Sequence, residues 1–216
     1  MPTSRIRAVA LAAGLVAWNG LADPRLPAHW QPLVRAALGT GLVAFSRAPL
    51  GMRPPALWSG LRLGAVAAGA VIAGVAATTT VPVMRAELRR RELPPAPTRW
   101  LLLRIPVGTV WSEEAAFRAA LRTMGVAAFG PDGGELLQAT AFGLSHLADA
   151  RSTGEPVIGT VVVTGLAGWV LGRLAQWSGS LAAPMLTHLA LNEAGALAAL
   201  TYQRRPGAPR HRQPPL

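Results

Sequence analysis

Cysteine is absent from the chain, which excludes a disulfide framework and thiol chemistry. Lysine is absent too, so all 21 basic residues are arginine. Charge is scarce, at 14% of residues against about 25% in ordinary soluble domains. That shortage argues against a soluble globular protein. No internal repeat of fixed period occurs, which removes solenoids and propellers. What fills the sequence instead is apolar, at 51% of 216 residues with a mean hydropathy of +0.33. The net charge of +11 would suit a nucleic-acid binder, but the arginines fall mostly between apolar runs and in the tail. There they meet anionic lipid headgroups. The partner read from this pattern is the lipid bilayer, with no nucleic acid.

The apolar runs predict an all-α, polytopic membrane helical bundle of six to eight transmembrane helices. Ile6 to Leu21 reads as a first span, or as a signal peptide with Ala22 near a cleavage site; the many later runs favour the span. Pro32 to Ser46 is weaker, because Arg35 and Arg47 bracket only eleven residues where a span needs about 20. It reads as a doubtful span or a re-entrant segment. Leu57 to Met84 is a long run of Ala, Gly and Val whose small positions allow helices to approach closely. Five arginines and three prolines between Arg85 and Arg99 break the chain. Trp100 to Leu121 predicts a helix kinked at Pro106 and Gly108. Gly130 to Gly134 reads as a turn, Leu136 to Ala148 as a helix and Asp149 to Pro156 as a polar loop. Val157 to Ala175 and Leu181 to Tyr202 are the last two runs, joined through Ser178–Gly179–Ser180. The organisation expected is 1–84 as N-terminal membrane helices, 85–99 as a basic linker, 100–202 as the functional core and 203–216 as a disordered basic tail. The positive-inside rule places the 85–99 loop and the tail in the cytoplasm, so the expectation is a multi-pass protein of a bacterial plasma membrane.

Inside the core, three apolar runs carry polar groups that are expensive in a bilayer, at about 2.5–3.5 kcal/mol per charge. The first holds Glu113, Glu114 and Arg118. Glu114 and Arg118 are four residues apart and share a helix face, whereas Glu113 points about 100° away. The second holds Phe142 and His146, the third His188 and Asn192, again four apart in each case. Should these faces converge, a base to activate water and donors for an oxyanion lie together, which are the parts of a hydrolase. In this reading Glu113, with His146, polarises a water. His188 and Asn192 donate to the tetrahedral oxyanion, and Glu114 pairs with Arg118. Glu113, His146 and His188 could instead ligate a divalent metal and leave a position open, although the His-Glu-x-x-His spacing of zinc proteases is missing. The reading adopted uses no cofactor.

Glu113–Glu114–x–x–x–Arg118, Phe142–x–x–x–His146 and His188–x–x–x–Asn192 together resemble the motifs of the CPBP, or Abi, family of intramembrane proteases, which includes the type II CAAX prenyl endopeptidases. The lead-in Gly179–Ser180–Leu181–Ala182–Ala183–Pro184 is similar to the family's approach to its third motif. The resemblance covers about 100–202. Ala119 stands where the family often has glycine after the motif arginine. The resemblance implies an all-helical fold, a site within the bilayer near the cytoplasmic face, glutamate-dependent chemistry and a peptide or membrane-protein substrate. Two other readings compete. Glu, His and Arg inside helices also build the relays of proton-coupled transporters, though no paired half-repeat is visible. A catalytically silent membrane scaffold would keep the fold and lose the activity.

Overall fold

The structure, a computed structural model, describes residues 2–204. Among these residues every regular element is helical. Helix α1 spans Pro2–Ala17 and runs on through wide π-turns at Trp18–Ala22 and a tight turn at Asp23–Arg25. Helix α2 is Gln31–Ser46, α3 Ala56–Thr78 and α4 Pro82–Arg90. Helix α5 starts at Pro97–Arg99 and continues to residue 121, with π-helical geometry over Trp100–Trp111 and Glu114–Leu121. It passes directly into α6, Arg122–Ser145, followed by α7, Leu147–Thr153, α8, Val157–Ser178, and α9, Ala182–Arg204.

Several boundaries differ from the sequence expectation, each for a local reason. The long run ending at Met84 is two helices, because Pro82 restarts the chain as a first-turn proline after an extended Val81; Pro is tolerated there since the first turn has no N–H partner to lose. The basic break is therefore partly helical, α4 taking up its first arginines. The turn sought at 130–134 is concentrated in one residue. Gly130 has φ 78°, a conformation glycine adopts without a Cβ penalty, and Pro131 restarts the helix. Gly133 and Gly134 are helical. The second half of α6 folds back so closely that a Cβ on Gly134 would stand 2.4 Å from the Val126 backbone nitrogen. The polar loop after Ala148 contains α7, which Gly154 ends in the left-handed region, as glycine commonly does at helix ends. Pro106 does not simply kink α5. Proline cannot donate an N–H and its ring crowds the carbonyl four residues back, and the surrounding turns are widened to the i→i+5 pattern that recurs at functional sites. Of the tail, Gln203 and Arg204 belong to α9, and the remainder lies outside the described residues.

Three helices are long and apolar enough to cross a membrane, namely Thr3–Arg25, Ala56–Thr78 and Val157–Ser178. Only 11% of the apolar window in α3 is buried within the protein, so its surface is offered to acyl chains. At 16 residues, α2 rises about 24 Å, short of the roughly 30 Å hydrocarbon core. Among the described residues three helices meet the length and composition of a span; α5 and α9 carry the polar groups of the core.

Packing places α2 against α5, α1 against α6, α8 against α6, and α3 against α9. Small residues set these distances. Gly39 of α2 lies so close to α5 that an added Cβ would meet the Ser112 carbonyl oxygen at 2.9 Å, and Gly108 of α5 would meet Pro32 at 2.8 Å. Ala12 and Leu15 of α1, Ala116, Phe117 and Leu121 of α5, and Ala141 and Phe142 of α6 form one apolar cluster. Trp111 turns its indole to α2 and donates to Thr40 Oγ1 at 3.0 Å. Gly51, at φ 60°, brings the loop after α2 against Gly179 and Ser180, and Leu181 N donates to Leu50 O at 2.8 Å. The entry to α9 is fixed by that contact.

Candidate active site

The carboxylates of α5 meet the imidazole of α9. His188 Nδ1 lies 2.7 Å from Glu114 Oε1. A carboxylate accepts, so Nδ1 carries the hydrogen and Nε2 is left facing outward. Nε2 stands 3.9 Å from Glu113 Oε2. That is too long for a direct hydrogen bond and suits a bridging water. Glu114 is fully buried, while the Glu113 side chain keeps 19% of its surface. The two neighbouring acids thus have different surroundings: one is locked between protein groups and the other opens on a cleft.

The cleft has a volume of about 20 Å³, room for a single water, and is walled by α1, α2 and α5. Glu113, Ser112 and Phe117 come from α5, Arg35 and Gly39 from α2, and Trp18 and Asn19 from the end of α1. Arg35 is held by Asp23, with its Nε 2.6 Å from Asp23 Oδ1 and a second contact through Nη2. Gln31 Nε2 donates to the same carboxylate at 3.0 Å. This ties the end of α1 to α2 beside Glu113. The sequence reading treated Arg35 only as the edge of an apolar run; its pairing with Asp23 spans a turn between two helices and leaves no periodic signal.

Arg118 lies behind Glu114, with Nε 3.4 Å from Glu114 Oε2. The pair is close but poorly aligned for a hydrogen bond. The guanidinium lies flat over Phe142, its Cζ 3.9 Å from the ring centroid, a cation–π arrangement. Phe142 also stands edge-on to His146 at 4.7 Å and to His188 at 6.4 Å. One aromatic ring therefore touches polar groups from all three motif helices. His146 caps α6. Its Nδ1 is 2.8 Å from Phe142 O, and because a carbonyl only accepts, Nδ1 bears the hydrogen and Nε2 the lone pair. Asn192 donates to His188 O at 3.1 Å, within its own helix. The structure thus brings Glu113 and Glu114 to His188, and Arg118 to Glu114. His146 is joined to them through Phe142, and the Asn192 amide is engaged one turn along α9.

Among the described residues, no three His, Asp or Glu side chains cluster closely enough to hold a metal ion.

A second polar cluster was not singled out from the sequence. Glu135, 2% exposed, accepts from Arg122 Nε at 2.9 Å and from Gln138 Nε2 at 2.9 Å. Gln138 also donates to Gly168 O of α8 at 3.0 Å. A signal existed: Glu135 and Gln138 are one helical turn apart beside an apolar run, and Gly168 and Gly172 supply the matching small face. A Cβ at Gly172 would meet Glu135 Oε1 at 2.0 Å.

Buried acids and imidazoles from three helices thus meet inside a helical protein with apolar, membrane-capable helices. The family model described as type II CAAX prenyl endopeptidase Rce1-like matches residues 95–194, a stretch containing all three motifs, and over that stretch the chain is similar to that protease family. No curated protein and no solved structure matches the chain.

Proposed function

We propose that the chain is an intramembrane endopeptidase that hydrolyses a peptide bond at or near the membrane surface, with Glu113 as the general base. The observation that carries the reading is the 3.9 Å gap between Glu113 Oε2 and His188 Nε2. A water seated there lies within about 2.8 Å of both. Glu113 takes its proton as the water attacks the carbonyl carbon. Glu114, bonded to Nδ1, orients the imidazole and stabilises its charged form, the role a buried acid plays behind a catalytic histidine. The proton taken up by Glu113 passes to His188 Nε2, and the imidazolium so formed donates to the oxyanion of the tetrahedral intermediate and then gives that proton to the leaving amine as the C–N bond breaks. Asn192 adds a donor when its amide swings from the backbone carbonyl of its own helix. His146, with Nδ1 engaged, presents a basic Nε2 to the same water chain. No step requires a cofactor.

The substrate read from this site is a peptide or membrane protein that enters through the cleft between α1 and α2. The arginine-rich 85–99 segment and C-terminus lie on the cytoplasmic side of a bacterial plasma membrane in this reading, consistent with the positive-inside pattern.

The test is Glu113→Gln, which keeps the shape and removes the base. Because Glu113 borders the cleft, the variant inserts and melts like the parent, and turnover of a quenched-fluorescent peptide by the purified protein falls about 10³-fold, within the range for a general base. Undiminished turnover refutes the assignment.

A further inference from the structure

Arg118 has no exposed side-chain surface, and among the described residues none of Nε, Nη1 and Nη2 makes a hydrogen bond. Buried donors of a charged group without partners are rare and costly. Gln138, fully buried, shows the complementary defect. Its Nε2 is used twice, by Glu135 Oε1 and Gly168 O. Both partners are acceptors, so the amide cannot be flipped, and Oε1 is left as a bare acceptor. Gln138 precedes Phe142 by one turn of α6, and Phe142 carries the Arg118 guanidinium on its ring face. Both side chains also pack on Gly168, which a Cβ would bring to 2.9 Å from Phe142 Cδ1.

Water accepts from one group and donates to another, and buried waters usually occupy such places. We propose that Arg118 and Gln138 share a buried water, and that Gln138 is thereby a positioning residue for the Glu114–His188 pair. The water draws part of the guanidinium charge toward α6. Arg118 then stays at 3.4 Å from Glu114 Oε2 and does not collapse onto it, and the carboxylate keeps enough negative charge to grip His188 Nδ1. The inference deepens the proteolytic reading where catalysis is concerned, but the water and the strength of the Glu114–His188 bond are properties of the folded protein whatever it hydrolyses.

Two measurements on the full chain in nanodiscs test it. In the parent, the Arg118 guanidinium resonance, assigned by its loss in Arg118→Lys, shows a cross-peak to a long-lived water; a guanidinium with no such contact overturns the proposal. In Gln138→Leu, checked for unchanged helicity by circular dichroism, the His188 Nδ1 proton moves upfield because its bond to Glu114 weakens. With a fluorogenic peptide, kcat falls about tenfold while KM is unchanged. An unmoved Nδ1 resonance in folded Gln138→Leu overturns the positioning role, and the parent's cross-peak decides the case on its own if that variant fails to fold. Should Glu113→Gln still cleave peptide, the proteolytic reading is lost, and the two spectroscopic results still stand or fall independently.

Discussion

Two arginine–glutamate pairs stand on neighbouring stretches of the same folded-back helix, and they are built differently. Arg122 and Glu135 meet at 2.9 Å, well aligned, with Gln138 completing the carboxylate and the arginine keeping 19% of its side-chain surface. Arg118 and Glu114 are both wholly enclosed, lie 3.4 Å apart and are poorly aligned. The first pair has the form of a joint, closing the α5–α6 turn against α8. In the second, the better bond of the acid goes to an imidazole on another helix, and the arginine spends its charge on an aromatic face. Burying ions is costly even when they are paired. In the proposed reading the imperfect pair serves the orientation of His188 and not stability.

The contrast can be broken at its most sensitive point by Glu114→Ala, which leaves the enclosed guanidinium without a counter-charge. The expected loss of stability is about 3–5 kcal/mol, read as a lowered melting temperature in detergent, together with loss of turnover. A melting temperature equal to the parent's would mean that Arg118 is not buried as described. Next in size is Gly172→Ala, whose new methyl group runs into Glu135 and Gln138. Overpacking of this kind costs about 1–3 kcal/mol; it displaces Gln138 along with Glu135, so peptide turnover per folded molecule falls as well, by less than in Gln138→Leu. Smallest is Glu135→Gln, which keeps the shape and, through its amide oxygen, the bond from Gln138, while its NH2 turns toward Arg122 and gives up that bond. Arg122 is partly exposed and finds water, so the expected cost is about 1 kcal/mol. If Glu135→Gln proves as damaging as Glu114→Ala, the division between a joint and a working pair is wrong.

The degree to which the architecture could be read in advance follows the same physics. Helical class and the positions of α3, α8 and α9 follow from apolar runs too long for strands, a one-dimensional signal. Breaks that depend on one residue's backbone were harder. Gly130 carries the whole reversal of α6, yet in the sequence it is one of several glycines around Pro131 and Asp132. The π-turns of α5 leave no mark in a reading built on 3.6 residues per turn; Pro106 signals a disturbance without saying how the helix absorbs it. For the candidate site, polar residues in apolar runs supplied the residue types and the helices that hold them. Which nitrogen of His188 faces Glu114 and which faces Glu113 depends on how α9 is rotated against α5. That Phe142 is the common contact depends on the fold of α6. Asp23, Arg35 and the cleft they border arise only where α1 and α2 close over α5, which no local pattern encodes.

The close passage of Gly51 over Gly179, and of α3 along α9 through Gly60 and Gly64, has a consequence for synthesis and inheritance. The recognisable family segment begins at residue 95, yet the helix that presents His188 is seated on a platform made by the first 78 residues. Those residues leave the ribosome long before α9 does. The platform is therefore waiting when the last helix arrives, and a shortened gene starting at the family segment would yield the reactive side chains without the surface that sets their angle.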